Sequence, residues 1–266
     1  MSSTDIEKQR ITNLRAYAID QALGRLNAER PGFEPEAIIA SICAYEEEGN
    51  IASVLEKMPD TLDGLAYTTL VVVDGGEDRT AEIARSFPGV VVIQFPVNLG
   101  HGVALQVTYR YCIDHHVKYV VTLDADGQND PAEIPQILAP LIGDQSDFVV
   151  GSRVLGVDKT SDVIRKTGVR FFSFVMNRMT GANLTDTSTG YRALRVTMLA
   201  DVIDRLEQEQ YQTAELLITC LKRGWRAGEV PTVWYPRFSG TTKKGKNLLF
   251  GFRYTKVVFG TWWRER

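Results

Sequence analysis

The stretch Leu123-Asp124-Ala125-Asp126-Gly127-Gln128 closes the apolar run 118–123. Side chains alternate along an extended chain, so Asp124 and Asp126 face the same way. Two carboxylates held that close repel each other unless a cation sits between or beside them. A hard divalent ion, Mg²⁺ or Mn²⁺, is the cation that such oxygen donors select. Asp124, Asp126 and the amide oxygen of Gln128 are the candidate metal ligands, and diphosphate oxygens of a nucleotide would complete the shell. A solvated Asp- and Gly-rich turn accounts for the same letters, so the reading depends on what lies around it.

Three further segments follow apolar runs. Cys43-Ala44-Tyr45-Glu46-Glu47-Glu48-Gly49-Asn50 offers Tyr45 to stack on a base and Glu47 to accept from a base or ribose; an N-cap at Asn50 is the plainer explanation. Asp74-Gly75-Gly76-Glu77-Asp78 pairs a carboxylate with glycines that let backbone approach a ligand. Asn98-Leu99-Gly100-His101-Gly102 is explained equally well by a tight turn before a helix. Arg153, Arg165, Arg237 and Lys243 supply positive charge in the second half of the chain, although scattered basic residues are usually surface solvation or ordinary ion pairs. Asp186 and Glu215 are the candidate bases should an acceptor hydroxyl need deprotonating, although Asp186 reads equally as a loop cap and Glu215 as a helix-surface carboxylate.

The elements that must position these residues show in the hydrophobic pattern. Apolar runs at 37–43, 68–74, 90–94, 118–124 and 147–151 alternate with helical stretches near 50–58, 78–87, 102–114 and beyond Pro131. Near-continuous apolar strands alternating with helices predict a mostly parallel sheet covered on both faces, an α/β architecture. Ligands then sit beyond the carboxyl ends of the strands, where the acidic segments fall. The second half predicts helices near 162–180, 196–208 and 211–223, a loop and strand over 185–195, and a polar, basic loop over 237–247. Residues 1–36 read as an N-terminal helical extension, 37–245 as the main domain, and 246–266 as an aromatic, basic segment. That last segment suits either a membrane interface or packing on the body.

Composition narrows the function classes. The 266 residues are 44% apolar and 24% charged, ordinary for a globular chain. A net charge of −3 argues against coating nucleic acid. The three cysteines form no CxxC pair, which predicts a reducing, cytoplasmic setting without a zinc staple. The first 30 residues are too charged for a secretory signal, and no run of about eighteen apolar residues is present to span a bilayer. Oligomeric state is not legible.

Taken in order, AYEEEGNI, VVVDGG, NLGHGVAL, LDADGQNDP, GSR and DTSTGYRALR resemble the family-two glycosyltransferases of GT-A (Rossmann-like) fold, and among them the dolichyl- or polyprenyl-phosphate sugar synthases. Each piece alone is weakly specific; six in the family's order are strongly so. The resemblance implies that Asp124, Ala125, Asp126 and Gln128 hold the metal and nucleotide sugar, that Tyr45, Glu47 and Asp74 bind the nucleotide, and that Arg153 and Arg165 meet donor and acceptor phosphates. It places Arg237 and Lys243 beside the donor diphosphate. It implies an inverting, metal-dependent transfer of a hexose from a GDP-mannose or UDP-glucose type of donor to a polyprenyl phosphate, for which the 246–266 segment would give peripheral membrane contact. A soluble hydroxyl acceptor, or sugar-nucleotide binding without catalysis, are the alternatives. Two departures bear on the donor. Cys43 and Glu46 replace the family's usual proline and asparagine, and the loop after Asp74 is shortened, which leaves the base open between guanine and uracil. An oxidoreductase would need GxGxxG after its first strand, which is missing. A nucleotidyltransferase would need a basic phosphate loop where AYEEEGN is acidic.

Overall fold

A computed structural model of the chain describes residues 3–239 and 247–266. Its centre is a seven-stranded sheet of order β3-β2-β1-β4-β6-β5-β7. The strands are β1 (Ile38–Ala44), β2 (Thr68–Val73), β3 (Val91–Gln94), β4 (Tyr119–Asp124), β5 (Phe148–Asp158), β6 (Arg192–Arg195) and β7 (Ala227–Trp234). β1 pairs in parallel with β2 and β4, β2 with β3, and β5 with β7, while β6 runs antiparallel between β4 and β5. The expected mostly parallel α/β sheet is therefore present. Only β6 is reversed, so its entry, residues 186–191, arrives at the same edge from which the other strands depart.

Alternation along the strands splits the core into two layers. Ile39, Leu70, Val72 and Val120 face a layer formed with α4 (His101–Asp114), α7 (Val196–Val202) and α8 (Gln212–Lys222). Ile42, Val71, Val73 and Val121 face α2 (Ile51–Leu55), α3 (Thr80–Ser86) and α5 (Ile134–Ile142). Burial on both faces is why these strands read as unbroken apolar runs. The N-terminal helix α1 (Ser3–Glu29) joins the first layer through Ala22 and Leu26.

Three differences from the sequence pattern have physical causes. β7 goes unrecognised because Gly228 and Pro231 interrupt its pattern. Proline is tolerated there because β7 is an edge strand. β5 continues seven residues past the expected Gly151, to Asp158, because β7 pairs with it on that side. The predicted helix 196–208 ends early at Val202 and tightens into a 3₁₀ turn over Ile203–Arg205.

The C-terminal segment forms α9 (Asn247–Arg264), which lies beside α6 (Val163–Thr180) and α8. Tyr254, Val257, Val258 and Thr261 are buried against the body. The Tyr254 ring meets Phe172 edge-on at 4.7 Å and Tyr211 at 5.9 Å. Trp262 Nε1 donates to the Met179 carbonyl at 3.0 Å. One face of α9 thus packs on the protein, while Phe252, Phe259 and Trp263 remain exposed on the other. Tyr254→Ala should lower the unfolding free energy by about 3 kcal/mol in denaturant titrations, as large-to-small core changes do. Phe252→Ala should change it by less than about 0.5 kcal/mol.

Candidate active site

β4 delivers the acidic pair to the carboxyl edge of the sheet. Ala125 is buried and donates its N–H to the Cys43 carbonyl at 3.2 Å, which keeps the tip of β4 against β1. Asp124 is half-buried, with its N–H donated to Asn129 Oδ1 at 3.3 Å. Asp126 is buried, and its Oδ1 accepts the Gln128 N–H at 3.1 Å. That tight turn needs a left-handed residue, supplied by Gly127 at φ 76°. Gln128 donates Nε2 to the Tyr235 carbonyl at 3.1 Å, which orients its side-chain amide.

The loop after β1 meets this turn. Tyr45 is half-buried at its start. Glu47 is buried; its N–H donates to Thr80 Oγ1 at 2.8 Å, and its Oε2 accepts from Asn50 Nδ2 at 2.6 Å. Arg237, arriving just after β7, joins the two loops: Nη1 donates to Asp126 Oδ2 at 3.0 Å and Nη2 to Glu47 Oε1. Arg237 was expected beside a diphosphate, and the structure sets it on two carboxylates. Lys243, the other expected contact, lies outside the described residues.

Asp74 is buried with both oxygens engaged, accepting the Leu99 N–H at 2.7 Å and the Gly100 N–H at 3.0 Å. Its carboxylate therefore organises the turn that leads into α4. Burial pushes its pKa up to about 6, against the pull of those two amides. Gly75 has no substitute there, since a β-carbon would fall 2.4 Å from the Val97–Asn98 backbone.

The basic half of the site lies at the end of β5. Arg153 is buried and grips the fully buried Asp186, Nε to Oδ2 at 2.6 Å and Nη2 to Oδ1 at 3.1 Å. Nη2 also reaches Ser188 Oγ at 2.7 Å. This pairing forms because the segment preceding the reversed β6 enters beside β5. Glu229 accepts the Thr185 and Asp186 N–H groups and so fixes that segment. The Trp234 ring takes Arg153 at 4.6 Å and Arg165 at 5.2 Å from its centroid, cation–π contacts that hold two like charges together. Burial and the Arg153 charge pull the Arg165 pKa down, and the charges of Asp124, Asp126 and Asp158 oppose that shift. A cavity of about 240 Å³ is lined by Arg153, Asp158, Lys166 and Arg170 among others.

The structure gives the two candidate bases other partners. Asp186 is the counter-ion of Arg153, an arrangement that suits positioning rather than proton abstraction. Glu215 is fully buried and accepts the N–H groups of Glu207 and Gln208 and Arg264 Nη2, tying α8 to the loop before it and to α9. Sequence reasoning did not find Trp234, Lys166, Arg170 or Ser188. Trp234 sits in the unrecognised edge strand, and the others carry no spacing that marks them.

Among the described residues no three His, Cys, Asp or Glu side chains are arranged to hold a metal. The acidic turn supplies two carboxylates and one amide oxygen, all hard donors. That set fits Mg²⁺ or Mn²⁺ shared with phosphate oxygens, the usual manner of such ions.

The chain matches the model of glycosyl transferase family 2 over residues 40–203. It is 36% identical over 213 residues to a dolichyl-phosphate hexose transferase of Haloferax volcanii, covering 77% of this chain and 89% of that protein. It is 29% identical over 233 residues to a UDP-N-acetylglucosamine–dolichyl-phosphate N-acetylglucosaminyltransferase of Methanococcus voltae, covering 80% and 90%. Among solved structures, glucosyl-3-phosphoglycerate synthase of Mycobacterium tuberculosis, crystallised with Mn²⁺, UDP and phosphoglyceric acid, superposes with a TM-score of 0.67 at 20% identity, covering 90% of this chain and 82% of that one.

Because its raised pKa lets Asp74 keep its proton in the folded chain where the unfolded chain has lost it, this group stabilises the fold at acid pH and loses that contribution as pH rises through about 6. Asp74→Asn, which cannot ionise, should flatten the fall in Tm between pH 4 and 7 relative to the parent, read by calorimetry.

Proposed function

We propose that this chain, which belongs to glycosyl transferase family 2 and is a GT-A glycosyltransferase, transfers a hexose, with inversion, from a nucleoside-diphosphate sugar to a polyprenyl phosphate. The observation that carries the acceptor is a pair of buried, unsatisfied donors in one stack. Arg153 Nη1 and Trp234 Nε1 have no hydrogen-bond partner among the described residues, although the Arg153 guanidinium lies 4.6 Å from the Trp234 ring. Buried donors are rarely left so, and an anion is the group that satisfies them. Arg165, Lys166 and Arg170 add positive charge beside it. The relatives named for dolichyl phosphate support the same acceptor class.

The engagement of Asp186 points the same way. A hydroxyl acceptor must lose a proton to a base, and here that carboxylate neutralises Arg153. Asp158, which lines the cavity, is itself held by the Thr160 N–H and hydroxyl. A phosphate acceptor is ionised at neutral pH and needs no base. Its oxygen attacks C1 of the sugar from the face opposite the leaving diphosphate; the bond from C1 to the diphosphate oxygen breaks, and the diphosphate keeps the electron pair. Arg153, held rigid by Asp186 and Trp234, orients the attacking phosphate. Arg165 lies between acceptor and donor sides and screens two anions from each other. Tyr45 and Glu47 line the nucleotide side. Asp124, Asp126 and Gln128 would hold Mg²⁺ or Mn²⁺, which supplies Lewis-acid neutralisation of the departing diphosphate.

A lipid acceptor requires access to a membrane surface. No helix among the described residues is long and apolar enough to cross a bilayer. α6 and α9 carry no acidic residue, and both expose large apolar side chains: Val163, Ile164, Phe171 and Phe174 on α6, and Phe252, Phe259 and Trp263 on α9. Apolar side chains among Lys and Arg suit the interface of an anionic bilayer, and this surface adjoins the Arg153 cavity through α6.

The direct test supplies GDP- and UDP-hexoses with a polyprenyl phosphate and Mn²⁺ or Mg²⁺. Transfer to the lipid is expected, abolished by chelator and reduced at least about 100-fold in Asp126→Ala. Asp186→Asn should raise KM for the lipid phosphate without introducing a new ionisation in the pH–rate profile; transfer only to soluble hydroxyl acceptors would refute the acceptor. In a second test, the chain should sediment with vesicles containing anionic lipid, and Phe252→Ser with Phe259→Ser and Trp263→Ser should weaken that binding about tenfold or more.

A further inference from the structure

We infer that Arg237 is a built-in counter-cation of the donor site, and that it latches residues 235–239 over the acidic turn as a strap until a divalent ion displaces it. The inference rests on the reading of Asp124, Asp126 and Gln128 as metal ligands given above and adds a gating residue to it.

Asp126 and Glu47 are both buried, at 7% and 8% exposure, and approach one guanidinium from different loops. Burying two charged carboxylates is costly unless a positive charge pairs with them. Arg237 supplies that charge through its fork, one arm to each. The contact is competitive with a metal for a specific atom. Asp126 Oδ1 already accepts the Gln128 N–H, and Arg237 takes Oδ2, the oxygen a cation would draw on.

The rest of the strap is fastened to the same ligand turn. Tyr235 N–H donates to the Gln128 carbonyl at 2.9 Å while Gln128 Nε2 donates to the Tyr235 carbonyl. Phe238 N–H donates to the Asp126 carbonyl at 3.3 Å. The Phe238 ring lies so close over Gly127 that a β-carbon there would fall 2.3 Å from it, and the Lys57 ammonium sits 4.4 Å from the ring centre. Ser239 Oγ donates to Asn50 Oδ1 at 2.7 Å, and Asn50 also steadies Glu47. Two of the three candidate metal ligands are therefore tied to the strap through backbone and side chain alike. An ion that draws Asp126 and Gln128 to itself loosens these ties, and the released Arg237 is free to turn toward an incoming diphosphate. Entry of the donor's cation and opening of the strap become one event.

The test uses the metal alone. Mn²⁺ is titrated into the metal-free full-length protein without nucleotide, and free Mn²⁺ is read by electron paramagnetic resonance. Arg237→Gln should bind Mn²⁺ at least about tenfold tighter than the parent, because the competing charge is gone, and Arg237→Lys should fall between them. Hydrogen exchange at the Tyr235 and Phe238 amides should rise in the parent when Mn²⁺ is added. If Arg237→Gln does not fold by circular dichroism, Phe238→Ala, which loosens the strap with the charge kept, should tighten Mn²⁺ binding several-fold. Equal or weaker Mn²⁺ binding in the folded variants, with exchange unchanged, overturns the latch while leaving the donor site standing. Failure of every form to bind Mn²⁺, with or without a nucleoside diphosphate, overturns both.

Discussion

The pairing of buried carboxylates with guanidinium groups along one edge of the sheet is the constraint on which this protein's site depends. Asp126 and Glu47 share Arg237, and Asp186 is enclosed by Arg153. Leaving any of these charges buried and alone would be strongly unfavourable. The loops are consequently held by electrostatics as much as by packing. The same pairs set the site's polarity, with acid beside the β1 and β4 ends and base beside the β5 end.

That polarity suits the joining of two anions. A nucleoside-diphosphate sugar and a lipid phosphate repel each other, and each needs its own neutralising partner. In the proposed reaction the acidic turn would recruit a cation to one, and the stack of Arg153, Trp234 and Arg165 would receive the other. Arg165 senses both sides, since its charge is opposed by Arg153 and favoured by Asp124 and Asp126. The division of labour follows from the reversed strand. β6 brings Asp186 and Ser188 to the carboxyl edge from the opposite direction, and without them the buried Arg153 would have no counter-charge.

The outward faces of α6 and α9 extend the same logic beyond the pocket. α9 spends one face on the core through Tyr254 and Val258 and leaves an aromatic stripe outside. α6 does the same with Phe171 and Phe174, starting beside the residues that line the Arg153 cavity. Core packing and the exposed aromatic side chains thus fall on opposite faces of the same helices, so changes to the exposed stripe leave the core contacts intact.

Much was legible in the chain by itself. Unbroken β-branched runs could only be strands covered on both faces, and their spacing required helices between them; the sheet and its carboxyl-edge loops follow from that. The acidic pair at 124 and 126 was readable as carboxylates closing an apolar run, but the expected strand alternation does not set their directions, because β4 ends at Asp124 and Asp126 lies in the turn that follows. What the tertiary structure decided are the partners. Arg153 and Asp186 stand 33 residues apart, Arg237 and Asp126 stand 111, and Arg237 and Glu47 stand 190. No local pattern links residues at those separations, so whether Asp186 is a base or a counter-ion, and whether Arg237 faces a phosphate or a carboxylate, is settled only when the reversed β6 and the edge strand β7 carry them to the same edge. Electrostatic pairing acts through space, and the sequence records only order along the chain.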